Sequence, residues 1–279
     1  MIKISYDEFL GEGPYTLHRC LNVELEVGHF PDNTLMLKTK NINFNSSIDI
    51  KWYYENDAEL FTIICLAKKA TSTKNLIMTY IPHARQDRVK TSEDTFTLKY
   101  FAETINSLGF DNVYVLDPHS NVSTALLDRV VVRSPQQYIE KTILYHLRHL
   151  NKDDLVLFFP DEGSMKRYSD MFELPYAFGL KKRDWKTGQI QGLDVIDNGI
   201  NLKEKNILIV DDICSRGGTF YHSAKKLKEL GVGNIYLYVT HCENTILEGE
   251  VLTSGLIDRV FTTNSLFSSK HEKITVMEV

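Results

Sequence analysis

The run IVDDICSRGGT, residues 209–219, holds the residue types that bind a sugar phosphate, in the order that would place them. Gly217 and Gly218 let a backbone approach a phosphate closely, and Ser215, Thr219 and the free N–H groups opening a following helix offer donors to it. Asp211 and Asp212 cannot serve that phosphate, because like charges repel. They suit ribose hydroxyls, which donate to carboxylates, or a water bound to Mg²⁺. The plain alternative, a tight strand-to-helix turn with two capping acids, leaves two adjacent carboxylates at the end of so apolar a strand unexplained.

Other charged segments are less specific on their own. In TYIPHARQDRV, residues 79–89, Arg85 and Arg88 flank Gln86 and Asp87. Two guanidinium groups can fork onto polyphosphate oxygens or stack on a base, with the amide and acid fixing orientation. By composition alone a solvated charged turn is the better description of this segment. His119 in VLDPHS reads as a surface residue at a strand end, and Asp161 in LFFPDEG as a turn residue after Pro160. Lys181, Lys182 and Arg183 read as a basic loop.

The elements that must position these residues follow from hydrophobic patterning. Apolar runs of strand length occur at 76–81, 113–116, 155–159, 207–210 and 235–239, several rich in β-branched or aromatic residues. Leu98, Phe101, Ala102, Ile105 and Leu108 recur at helical spacing, as do Phe220, Ala224 and Leu227 before Gly231. Alternating strand and helix predicts an α/β fold with right-handed crossovers. Ser134-Pro135 interrupts the pattern halfway, so two domains are expected, 1–136 and 137–279.

With these motifs in place, the chain resembles the ribose-phosphate diphosphokinases, also called PRPP synthetases. Residues 209–219 are similar to the PRPP-binding signature shared by these enzymes and the type I phosphoribosyltransferases, departing from the synthetase form at Ser215 and Arg216, where Asp and Thr are usual. Residues 79–89 resemble the synthetase ATP motif, which the transferases do not need. The resemblance gives Arg85, Gln86, Asp87, Arg88 and His119 to ATP, and His119 and Asp161 to Mg²⁺. It gives Asp211, Asp212, Ser215, Arg216, Gly217, Gly218 and Thr219 to the ribose phosphate. FGLKKRDWKTG resembles the family's mobile catalytic loop, with Lys181 and Arg183 as its catalytic cations. HFPDN is a weaker match to the segment that touches adenine across a subunit contact, through Phe30 and Asp32. The likeness runs from about residue 25 to residue 243, and the chain reads as a C-terminally short member. It implies two similar type I phosphoribosyltransferase-like, Rossmann-like domains with mainly parallel sheets, the active site between them, and a homo-oligomer, dimer or hexamer.

The implied reaction moves the β,γ-diphosphate of ATP to the anomeric hydroxyl of ribose 5-phosphate, with Mg²⁺ as cofactor. Three alternatives stay open: the same chemistry on a larger acceptor such as ADP-ribose, a phosphoribosyltransferase that consumes PRPP, and a non-catalytic homologue that regulates a synthetase. Composition narrows the classes further. A net charge of −5 over 279 residues argues against a dedicated nucleic-acid binder. No apolar run is long enough to cross a bilayer, the N-terminus is acidic where a signal peptide is cationic, and the four cysteines form no CxxC pair. A cytoplasmic enzyme without a disulfide framework is expected.

Overall fold

The computed structural model describes residues 1–10, 17–23, 25–40, 42–183 and 190–279, and the side chains of 6–10, 17–23, 181–183, 190 and 191 lie outside the description. The chain divides into two compact units, Met1–Ser134 and Pro135–Val279.

In the first unit the strands are β1 (Ile2–Leu10), β2 (Leu17–Val23), β3 (Leu25–His29), β4 (Leu35–Thr39) and β5 (Ile48–Trp52). Then follow α1 (Glu59–Lys69), β6 (Lys74–Met78), α2 (Thr97–Ser107), β7 (Asn112–Leu116), α3 (Asn121–Leu126) and β8 (Val130–Arg133). The sheet order is β2-β1-β5-β6-β7-β8, parallel from β5 to β8, with β1 antiparallel to both neighbours. β3 and β4 form a separate hairpin. Alternate strand residues Ile48, Ile50, Leu76, Met78, Val113 and Val115 share one core with Ile63, Leu66, Leu98, Phe101 and Ile105 from the helices. The period of 2 on the strands meets the period of 3.6 on the helices, which fixes the α/β layering.

The second unit opens with α4 (Gln136–Lys141), continued by a π turn over Thr142–His146. It proceeds through β9 (Leu155–Phe159), α5 (Glu162–Tyr168), β10 (Tyr176–Arg183), β11 (Ile190–Ile196) and β12 (Asn206–Cys214). It ends with α6 (Gly218–Glu229), β13 (Ile235–Cys242), α7 (Glu250–Thr253), β14 (Arg259–Thr263) and β15 (Ile274–Met277). The order is β11-β10-β9-β12-β13-β14-β15, parallel throughout except for β11. All residues of β9 and β13 are buried, as befits strands covered on both faces. Ile207, Ile209, Leu237 and Val239 face Phe220, Ala224 and Leu227 of α6. Leu208, Val210, Tyr236 and Tyr238 face the opposite layer, which includes Ile139 and Tyr168. Each large apolar side chain so buried contributes about 1.5–3 kcal/mol, which makes the sheet the rigid frame from which loops project.

Three sequence expectations change. The strand expected at 76–81 is β6 at Lys74–Met78, because the ladder with β7 begins at Asn75 and ends at Met78. The strand expected at 207–210 does not stop before the two acids. β12 continues through Cys214, because its register with β13 persists to the Cys214–Cys242 pair. Lys181 and Arg183, expected on a loop, close strand β10, paired antiparallel to Leu193 and Ile190 of β11 with a bulge between Lys182 and Arg183.

Candidate active site

In an open parallel sheet, ligands bind outside the carboxyl ends of the strands where the order reverses. In the second unit that point lies between β9 and β12. From β9 the chain runs through α5 to β10 on one side, and from β12 through α6 to β13 on the other. Asp161 follows β9, and Asp211 and Asp212 lie near the end of β12. The fold therefore gathers three acids that are about 50 residues apart in sequence.

Their surroundings differ. The Asp161 carboxylate caps α5, accepting the backbone N–H groups of Gly163 and Ser164, each at 3.1 Å, while the Ser164 hydroxyl completes a capping box. Asp212 is 5% exposed, and its Oδ2 lies 3.2 Å from Nη1 of Arg167 on α5. Asp211 accepts the backbone N–H of Asp212 at 3.0 Å. Burial, then the charges of Asp212 and Asp161, push the Asp211 carboxyl well above the usual carboxylate range.

Beyond β12 the chain turns through Ser215, Arg216 and Gly217 into α6. Gly217 is the N-cap in the left-handed region, φ 78°, so no side chain caps the opening N–H groups of α6. A Cβ at Gly217 would collide with Val251, whereas one at Gly218 would meet nothing within 4 Å. The carbonyl of Arg216 approaches Gly249 so closely that no side chain fits there. The exposed Arg216 guanidinium pairs with Glu248 at 2.9 Å. Thr219, in the first turn of α6, accepts the Ser223 hydroxyl through its carbonyl.

In the first unit, residues 85–88 follow β6 and His119 follows β7, so adjacent parallel strands bring the two segments to one edge of the sheet. Asp87 is 6% exposed and takes a forked contact from the neighbouring Arg88, 2.8 Å from Nε and 3.3 Å from Nη2. Arg88 holds the Asp87 carboxyl below the usual range against the opposing effect of burial, and His119 adds to the lowering. Gln86 is oriented by the Thr97 hydroxyl at 2.8 Å, and Arg85 is exposed. Asp117, buried ahead of Pro118, sits at φ 39°, a conformation that Asp tolerates better than most residues.

Phe30 and Asp32 form the β3–β4 turn. The Asp32 carboxylate accepts the N–H and hydroxyl of Thr34, at 3.1 and 2.7 Å, and the Phe30 ring is 52% exposed. Thr34 thus closes the turn against Asp32. The side chains of Lys181 and Arg183 lie outside the described residues. Sequence reading missed Arg167, Glu248 and Gly249. Arg167 could have been suspected from its helical offset after Asp161; the close approach at Gly249 leaves no mark in the sequence.

Among the described residues no group of three or more His, Cys, Asp or Glu side chains is arranged to hold a metal ion, and no helix is long and apolar enough to cross a membrane. Cys214 and Cys242 are buried free thiols and Cys65 is a half-buried one.

No family model matches the chain. It is 26% identical to the ribose-phosphate pyrophosphokinase of Thermococcus kodakarensis over 254 residues, covering 88% of this chain and 86% of the relative. It is 28% identical to that of Clostridium perfringens over 269 residues, 89% and 80% of the two chains. Against ribose-phosphate pyrophosphokinase 1 of Listeria monocytogenes the identity is 29%, over 80% and 70%. Among solved structures, phosphoribosylpyrophosphate synthetase from Mycobacterium smegmatis superposes with a TM-score of 0.71 at 19% identity, covering 92% of this chain and 86% of that one. The chain is thus similar in sequence to ribose-phosphate pyrophosphokinases over most of its length, and it shares the fold of a phosphoribosylpyrophosphate synthetase.

Proposed function

We propose that the protein is an ATP-dependent diphosphokinase that forms PRPP and AMP from ATP and ribose 5-phosphate. The observation that carries this reading is the charged cluster of the first unit, where Arg85–Arg88 and His119 meet at adjacent strand ends. An enzyme that merely consumed PRPP would need the ribose-phosphate loop of the second unit and would have no use for this cluster. A purely regulatory homologue is disfavoured because Lys181, Arg183, His119 and Asp161 are all retained.

In the reaction the anomeric oxygen bonds to the β-phosphorus, the bond from that phosphorus to the α–β bridging oxygen breaks, and AMP leaves. The hydroxyl proton passes to solvent. Such a transfer depends on alignment and charge neutralisation more than on covalent help from the protein. Asp211 and Asp212 orient the ribose hydroxyls, and Ser215, Thr219 and the opening N–H groups of α6 hold the 5-phosphate. Arg85 and Arg88 grip the nucleotide, oriented by Gln86 and Asp87, and His119 donates to its phosphates. Lys181 and Arg183 are assigned the charge that develops on the transferring group.

Mg²⁺ keeps several waters and binds through one or two carboxylates plus substrate phosphates, so it does not require a cage of protein ligands. Asp161, in the second unit, is the carboxylate assigned to such an ion, its Oδ1 already accepting two N–H groups of α5, and His119, in the first, is assigned to the nucleotide phosphates. When bound, the ion neutralises phosphate charge. We further assign the enzyme to the cytoplasm, in keeping with its free thiols, and to a homo-oligomer, in keeping with the exposed Phe30 ring at a hairpin tip.

Arg216 favours a second reading. It is exposed at the outer edge of the loop, and a surface pair such as Arg216–Glu248 is exchanged at a cost of about 0–1 kcal/mol. An acceptor with a second phosphate beyond the first, as in ADP-ribose, would find a guanidinium there. The test is AMP release with ATP, Mg²⁺ and either acceptor, with product masses determined. PRPP from ribose 5-phosphate is expected; a kcat/KM that favours ADP-ribose and loses that preference in Arg216→Thr selects the second reading. Absence of AMP with both acceptors overturns the diphosphokinase assignment.

A further inference from the structure

We propose that Arg167 is a positioning residue for the acceptor, its guanidinium on α5 holding the Asp212 carboxylate in the orientation that receives the ribose hydroxyls. The proposal rests on reading the β12 end as the ribose site. Successive residues of a strand point to opposite faces, so Asp211 and Asp212 cannot be held by one set of neighbours. Asp212 shares its face with Leu208 and Val210, whose layer contains Tyr168 of α5. Arg167 reaches it there, with Nη1 3.2 Å from Oδ2.

The arginine is itself fixed. Its guanidinium carbon lies 5.6 Å from the Tyr168 ring centroid, and Tyr168 is fully buried. α5 is anchored at its start by the Asp161 capping box, directly after β9, and β9 is paired with β12 from Asn206–Leu155 to Ile209–Phe158. Strand, cap, helix and guanidinium thus form a closed frame around one carboxylate. Asp212 is buried but the Arg167 side chain is 29% exposed, and an ion pair so placed is a poor stabilising device, screened by solvent on one side and costly in desolvation on the other. Its place at the strand ends where ligands bind therefore points to orientation rather than stability. The fixed fork of arginine suits that task better than a flexible ammonium.

The test uses the full chain with Arg167→Gln and Arg167→Lys. Ribose 5-phosphate binding is measured by calorimetry without ATP, the KM of each substrate by AMP release, and Tm by thermal melting. Arg167→Gln is expected to weaken ribose 5-phosphate binding about 10-fold or more, the loss of a charge-assisted contact, while the KM for ATP stays within about two-fold. Arg167→Lys should recover part of the loss. Unchanged ribose 5-phosphate affinity in Arg167→Gln overturns the proposal, as does an equal rise in both KM values. If Arg167→Gln fails to fold, Arg167→Lys decides by the same criterion, a rise confined to the ribose 5-phosphate KM. Wild-type protein that binds ribose 5-phosphate but releases no AMP would remove the diphosphokinase reading, and calorimetry would still decide the role of Arg167. Wild-type protein that does not bind ribose 5-phosphate overturns the Arg167 proposal.

Discussion

Asp211 and Asp212 are chemically identical neighbours that the fold treats differently. Asp212 has a guanidinium beside it, whereas Asp211 faces desolvation and two further acids. A carboxyl whose folded pKa is raised binds its proton more tightly in the native state than in the unfolded one. The stability linked to that proton is present at low pH and lost as pH rises through the folded value. Above that value the ligand-free enzyme holds an ionised Asp211 at a cost. Asp211→Asn is therefore expected to raise Tm at pH 8 in the absence of ligands while greatly weakening ribose 5-phosphate binding. The Tm gain should shrink as pH is lowered. Thermal melts of both proteins from pH 5 to 8 check this, and a Tm that falls in the variant at pH 8 would show that Asp211 is a stabilising partner. At this scale the sequence was informative about residue types and silent about partners. It identified the two acids, but the contrast between them depends on Arg167 and Asp161, which come from another strand and its helix.

The loop from Ser215 to Gly218 is built as an element, braced from behind by the segment at 248–251. Gly217 is needed twice, for its left-handed φ of 78° and for its contact with Val251, and Gly249 is needed because the Arg216 carbonyl occupies the space of a side chain. A Cβ at Gly218 would meet nothing within 4 Å among the described residues. Gly217→Ala, by left-handed strain and overpacking, and Gly249→Ala, by overpacking of about 1–3 kcal/mol alone, are accordingly expected to displace the loop and reduce ribose 5-phosphate affinity by about 10-fold or more. Gly218→Ala should leave Tm within about 1 °C, since it adds no contact, and any loss of affinity there would come from the ligand. Calorimetry and melts on the three variants separate these outcomes, and equal effects at 217 and 218 would contradict the bracing role. The strand, turn and helix around this loop were legible because β12 and α6 carry local apolar patterns. Gly249 was not, since a close approach between segments some 30 residues apart has no period. The strand end was also misjudged: Asp211 and Asp212 break the apolar run at 207–210, but pairing with β13 carries β12 on to Cys214. Likewise Lys181 and Arg183 look like a loop by charge and are held in β10 by antiparallel partners in β11.

At the scale of the whole molecule, each unit encloses its own buried core. The core of Met1–Ser134 packs both kinds of element around β5, β6 and β7, and Pro135–Val279 carries a separate layer on each face of a longer sheet. A segment of about 145 residues is ample for an independent domain, since cooperative cores form from about 50 residues upward. Every residue assigned to the ribose phosphate, from Arg167 and Asp211 to Thr219 and Gly249, lies in the second unit, and every residue assigned to the nucleotide motif at 85–88 lies in the first. Residues 135–279 expressed alone are therefore expected to fold with a cooperative melt and to bind ribose 5-phosphate. Affinity should fall within about 10-fold of the full chain, because the loop and its bracing are intact. The same fragment should release no AMP from ATP. Circular dichroism, calorimetry and the AMP assay on the fragment test these points in turn. A folded fragment that has lost ribose 5-phosphate binding would mean that the first unit contributes directly to the acceptor site, and AMP release by the fragment would remove the nucleotide role from Arg85, Arg88 and His119.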